Sequence, residues 1–75
     1  MTPNKQREDL AYAVIIARVK RNWSMETLAT ESSLSTATIA RVESCKGPAP
    51  ERDTIVKLCG TLELDARQFL FPQGE

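Results

Sequence analysis

Five neighbouring side chains, Thr36, Ala37, Thr38, Ala40 and Arg41, carry the clearest chemistry in this sequence, and it is recognition chemistry. If Ile39 and Val42 are the buried positions of a helix, then Thr36, Ala37, Ala40 and Arg41 point outward, with Thr38 at the edge. The resulting face is short, small and polar, with a single long cation. An arginine can fork onto the paired acceptors of guanine, and small groups can approach a thymine methyl, so such a face suits a DNA major groove. Bond-making chemistry has far less to work with. The sequence holds no histidine, and its two cysteines, Cys45 and Cys59, sit in no metal-ligand spacing. It has no glycine-rich phosphate loop after a strand, and no nucleophile beside a base. The expectation is a protein that is not an enzyme, with no cofactor, no metal and no small-molecule ligand.

The elements that must position this face are read from periodicity and caps. No segment alternates with period two, and Gly and Pro collect at Gly47-Pro48-Ala49-Pro50. A first helix is expected from about Arg7 to Arg21, with Glu8 and Asp9 in its positive first turn and Asn22 as a left-handed stop. Ser24 caps a short second helix, Met25 to Glu31, with Thr27 where a capping box usually has Glu or Gln. Ser32-Ser33-Leu34 is a turn, and Ser35 caps a third helix from Thr36 to about Ser44. A fourth helix spans roughly Arg52 to Leu62, with Ile55, Leu58 and Leu62 on one face. Asp65 caps a last short helix through Leu70, which Pro72 stops. Ala29 is the small residue that two steeply crossing helices need at their closest approach, and Leu34 plugs the turn between them.

Seventy-five residues allow one compact domain, 1–75. Ten basic residues balance ten acidic ones, which argues against a strongly basic coat that binds nucleic acid without specificity. The distribution is mildly uneven. Residues 1–50 hold seven basic and five acidic side chains, and residues 51–75 hold three and five. The longest apolar run, Ala11 to Ala17, is far short of the roughly 20 residues that span a bilayer, so no membrane partner is expected. No signal segment is legible, and two cysteines without one point to reduced thiols in a cytoplasmic protein.

Residues 10 to 70 resemble the phage Cro and repressor (Xre-like) helix-turn-helix family. The matching residues are Trp23-Ser24, Leu28-Ala29, Ser35 before Thr38-Ile39, Arg41-Val42-Glu43 and Lys46. Pro50, Thr54-Ile55, Lys57-Leu58, Leu62 and Asp65 match the family's fourth and fifth helices. The resemblance implies an all-α, five-helix lambda-repressor-like DNA-binding domain, with the helix-turn-helix at about 24–44. It places Thr36, Ala37 and Arg41 at base-reading positions, with Ala40 beside them on the same face. Thr38, Ser35 and Lys46 stand at positions that meet phosphate. Arg18 and Glu43 match a partly buried salt bridge tying the first helix to the third. Met25 stands where the family commonly has Gln, so phosphate anchoring there falls to Ser24 or to backbone N–H groups. Ser33 replaces the usual turn Gly and must accept left-handed geometry. Cys45 likewise stands where Gly is frequent, with one extra residue before Pro50.

The implied function is a sequence-specific double-stranded DNA-binding transcriptional regulator, a prokaryotic or phage repressor or controller. The alternative is a helix-turn-helix scaffold used for protein–protein interaction, such as an antitoxin module. The first helix adds a further expectation. Leu10, Ala13, Val14 and Ala17 form one apolar stripe, and Tyr12, Ile15, Ile16 and Val19 form a second on the opposite side. The second stripe is a candidate homodimer contact for a palindromic operator, with the C-terminal Phe69, Leu70 and Phe71 as its rival.

Overall fold

The computed structural model describes residues 3–69, with side chains from residue 7 onward. Four α-helices follow one another: α1 (Pro3–Lys20), α2 (Met25–Ser32), α3 (Thr36–Ser44) and α4 (Arg52–Leu62). A single 3-10 turn, Ala66–Gln68, completes them, and no strand occurs among the described residues. α1 packs against α3 and α4, α2 packs against the same two helices, and the 3-10 turn packs on α4. The radius of gyration, 11.4 Å, is that of a close-packed chain of this length, about 11 Å.

The helix boundaries follow from local chemistry. Ser24 and Ser35 sit in extended geometry before α2 and α3, and each hydroxyl accepts the N–H of the residue three positions on. Thr27 and Thr38 bring their own hydroxyls to 3.1 and 2.9 Å from these caps. All four helices stop in the same way. Asn22, Ser33, Cys45 and Glu63 each adopt a left-handed conformation, with φ between 58° and 61°. The next residue then donates its N–H back to a carbonyl of the last turn: Trp23 to Arg18, Leu34 to Ala29, Lys46 to Arg41 and Leu64 to Cys59. Such endings favour an apolar residue after the left-handed one, packed on the helix it closes. Trp23, Leu34 and Leu64 fill that role against the core. The fourth position is Lys46, and it stays exposed.

The core is built from one side of each helix. Leu10, Val14, Leu28, Ile39, Ile55, Leu58, Cys59 and Leu62 are all within 2 % of full burial. Each large apolar side chain so placed contributes about 1.5–3 kcal/mol. Ser32 is the buried polar residue among the described ones, and its hydroxyl donates to the Leu28 carbonyl at 2.7 Å, so it is satisfied within its own helix. Burial, and next the charge of Asp65, push the Cys59 thiol up from its ordinary range, which keeps it protonated and unreactive at neutral pH.

Two expected boundaries are corrected. α1 begins at Pro3 rather than Arg7, because proline needs no helical N–H and its fixed φ suits a first helical position. Glu8 and Asp9 therefore stand beyond the first turn, which holds no acid. The last helix, expected from Asp65 through Leu70, is the short 3-10 turn. Asp65 caps it by accepting the Arg67 N–H at 3.0 Å. Phe69 then leaves the helical track at φ −118°, ψ 0° and buries its ring in the core. Leu70, Phe71 and Pro72 lie outside the described residues.

Candidate nucleic-acid interface

α3 divides into two faces. Ile39 and Val42 are buried at 0 and 5 % exposure, and hold the helix to the core. Thr36, Ala37 and Arg41 are exposed on the other side, while Thr38 and Ala40 are half-buried at its edges. The helix is held at both ends. Ser35 caps its start, and the left-handed Cys45 closes its end, with the Lys46 N–H donating to the Arg41 carbonyl at 3.3 Å. Ser35 and Lys46 thus flank the outward face, and Ser24 opens the preceding helix. The connection from α2 to α3 is the three residues 33–35, beside the buried Ala29.

Arg18 and Glu43 fix the inner side of α3. The guanidinium donates through Nε to one carboxylate oxygen of Glu43 at 2.7 Å, and through a terminal nitrogen to the other at 3.0 Å. The third arm donates to the Trp23 carbonyl at 2.9 Å, in the turn after α1. The hydrogen bond to Glu43 raises the already high Arg18 pKa. One side chain thereby ties α1, its closing turn and α3 together. Fork-to-fork pairing of this kind specifies orientation as well as energy.

Three further residues support the site through contacts that local pattern does not specify. Arg7 reaches from α1 to the loop after α3 and donates to the carbonyls of Gly47 at 3.1 Å, Lys46 at 3.2 Å and Pro48 at 3.5 Å. These contacts join residues some forty positions apart, so no spacing rule in the sequence foreshadows them. Gly47 has φ +73°, and a methyl there would lie 3.4 Å from Arg41 Cδ. Glycine is needed for the left-handed backbone, and the arginine stem passes beside it. Arg21 caps helix ends, donating to the carbonyls of Ala17 and Leu62, each at 3.1 Å, while lying over the Trp23 ring. Basic residues at helix C-termini were the only available signal for this role.

An open groove of about 450 Å³ separates the outer edge of α3 from the loop, lined by Arg7, Thr38, Arg41, Pro48, Pro50 and Glu51, among others. Two arginines on its walls outweigh one carboxylate. Arg7→Ala is expected to free the loop without unfolding the domain. Amide exchange at Lys46 should quicken at least about tenfold, as an opening cost near 1.4 kcal/mol is lost, while amides in α4 stay protected. Unchanged exchange at Lys46 would mean that the loop holds its own shape.

Met25 is half-buried against the core, so it offers its thioether inward rather than a polar group outward. The second α1 stripe is placed opposite the core: Tyr12, Ile16 and Val19 are exposed and Ile15 is half-buried. Of its rival, Phe69 packs into its own core, and the other two residues lie outside the described ones. Among the described residues, no group of His, Cys, Asp or Glu is arranged to hold a metal ion, and no helix is long and apolar enough to cross a membrane. Compared with known protein families, curated proteins and solved structures, the chain shows no significant match to any.

Proposed function

We propose that this protein is a cytoplasmic, sequence-specific double-stranded DNA-binding transcriptional regulator that reads a major groove with the outer face of α3. Its fold belongs, in this reading, to the five-helix lambda-repressor-like helix-turn-helix class, with the 3-10 turn in the place of the fifth helix. The observation that carries the proposal is the outward face of α3: Thr36, Ala37 and Arg41 exposed on a helix anchored from behind by Arg18 and Glu43. Arg41 reads guanine through its paired acceptors, and Ala37 and Ala40 lie against thymine methyl groups. Thr36 adds a hydroxyl for a neighbouring base.

Phosphate contacts frame this face. Ser24 and Ser35 each accept a backbone N–H and share one hydroxyl proton with a threonine, Thr27 or Thr38. Each Ser–Thr pair has two hydroxyl protons and spends one between its members, leaving one to donate to a phosphate oxygen. The N–H groups of the first turn add the positive end of each helix dipole. Lys46 supplies a cation at the far end of α3, on a loop pinned by Arg7. These contacts set register, and the α3 side chains set sequence.

The test is a titration of duplex DNA over a range of salt. The binding constant should fall on a log–log plot with a slope of about −0.9 per phosphate neutralised, and Lys46→Ala should make the slope shallower by about one per copy bound. A chain that ignores every duplex, at low salt as well as high, would instead be a protein–protein scaffold. The balanced charge of the whole chain keeps that outcome concrete.

A further inference from the structure

The outer side of α1 is an apolar ridge, and among the described residues no element packs over it. Leu10, Val14 and Ala17 face the core and are at most 7 % exposed, whereas Tyr12, Ile16 and Val19 are 69, 38 and 57 % exposed. At about 100° per residue the three exposed side chains fall within about 60° of one another. They form one continuous ridge, and contiguous exposed apolar surface marks an interaction site. Beside the ridge runs an open groove of about 380 Å³, whose walls include the apolar Ala13, Ile16, Leu62 and Leu64 and the charged Lys20, Arg21 and Glu63.

We propose that a second copy of this chain covers this face, the two α1 helices packing antiparallel about a twofold axis, with Tyr12 of each copy entering the other's groove. Charge selects the occupant and its direction. The outer side of α1 carries exposed Glu8 near one end and exposed Lys20 at the other. Parallel pairing would set like charges together, whereas antiparallel pairing sets Glu8 of each helix against Lys20 of its partner. The register agrees with the shape. Placing Glu8 opposite the partner's Lys20 puts Tyr12 opposite the partner's Ile16, because both pairs share a midpoint at Val14. Ile16 is also a wall of the groove, so the same register delivers the phenol ring to its mouth. A tyrosine suits such a seat: its ring packs on the apolar side chains of the groove while its hydroxyl meets the charged ones and water. Every contact occurs twice, as an isologous interface requires.

α1 is 18 residues long, about 27 Å, and a single helix-on-helix contact of that length covers less than the roughly 800 Å² per partner of a standard interface. The pair is therefore a modest one in solution and tightens when both copies share one duplex. This deepens the DNA reading by supplying the doubled reader that a palindrome needs, but none of its observations depends on DNA.

Sedimentation equilibrium without DNA, from micromolar to millimolar protein, tests it. The wild-type mass should approach twice the 8.4 kDa of one chain as concentration rises. Ile16→Glu and Lys20→Glu should each weaken association at least about tenfold. The double swap, Glu8→Lys with Lys20→Glu, should restore it, which a merely structural role for Lys20 would not do. Circular dichroism checks that each variant keeps its helices. A wild-type chain that stays monomeric throughout, a dimer indifferent to Ile16→Glu, or a double swap that fails to re-associate would each overturn the proposal. A dimer that ignores every duplex would sink the DNA reading and leave this one standing; a DNA-binding monomer would do the reverse.

Discussion

Glu43→Ala is expected to cost about 3 kcal/mol of folding stability. Glu43 is 5 % exposed and Arg18 15 % exposed at the side-chain level, so water screens their attraction weakly. Removing the carboxylate leaves a desolvated guanidinium with only the Trp23 carbonyl to meet. Breaking one side of a buried pair costs about 3–5 kcal/mol, and the partial exposure of Arg18 sets this case at the low end. A chain of this size has about 4–11 kcal/mol in total, so the loss is a large share. It should lower the melting temperature by more than about 10 °C. Lys57→Ala is the control. Its ion pair with Asp53 spans one helical turn at 3.2 Å with both partners exposed, and its removal should cost no more than about 0.5 kcal/mol. Equal denaturation midpoints for the two variants would remove the Arg18–Glu43 pair from the account of how α3 is held.

Arg41→Ala is expected to leave the fold intact and weaken binding to the preferred duplex by about 1–3 kcal/mol per half-site, while random duplexes are affected little. The guanidinium is exposed, so its loss opens no cavity. Preference should relax at one base position per half-site. Arg41→Lys should recover the charge but not the fork, and so should regain general affinity without regaining that preference. Competition between specific and random duplexes, measured at one salt concentration, separates these effects. Equal weakening on both would make Arg41 a phosphate contact.

The parts of this molecule that were legible in its sequence are those governed by neighbours along the chain. Ser24, Ser35 and Asp65 cap where their hydroxyl or carboxylate can reach an N–H two or three residues on. Asn22 and Ser33 turn left-handed where the chain must leave a helix, and the 3.6 spacing of Ile39 and Val42 separated the two faces of α3. The misread parts have physical causes. The acids at 8 and 9 imitate a first helical turn, which hid the real start at Pro3. Ala11 is buried although it lies off the expected stripe, because α1 packs against both α3 and α4 and needs a broader apolar face than one neighbour would demand. Glu51 precedes α4 without a side-chain cap, so that boundary was readable from periodicity alone. The Arg7 grip on the 46–48 loop and the passage of Arg41 beside Gly47 are tertiary facts. The first exists only once α1 and the loop are brought together, the second only once the loop folds back along α3, and no local propensity encodes either.

The central claim is that the outer face of α3 reads a DNA sequence, and selection of bound duplexes from a random pool tests it most directly. The account predicts enrichment of one motif with twofold symmetry, its half-sites about 34 Å or one helical turn apart, each holding a guanine whose preference vanishes with Arg41→Ala. A pool that stays random after repeated selection, or an enriched motif that is identical for the wild type and Arg41→Ala, would contradict it.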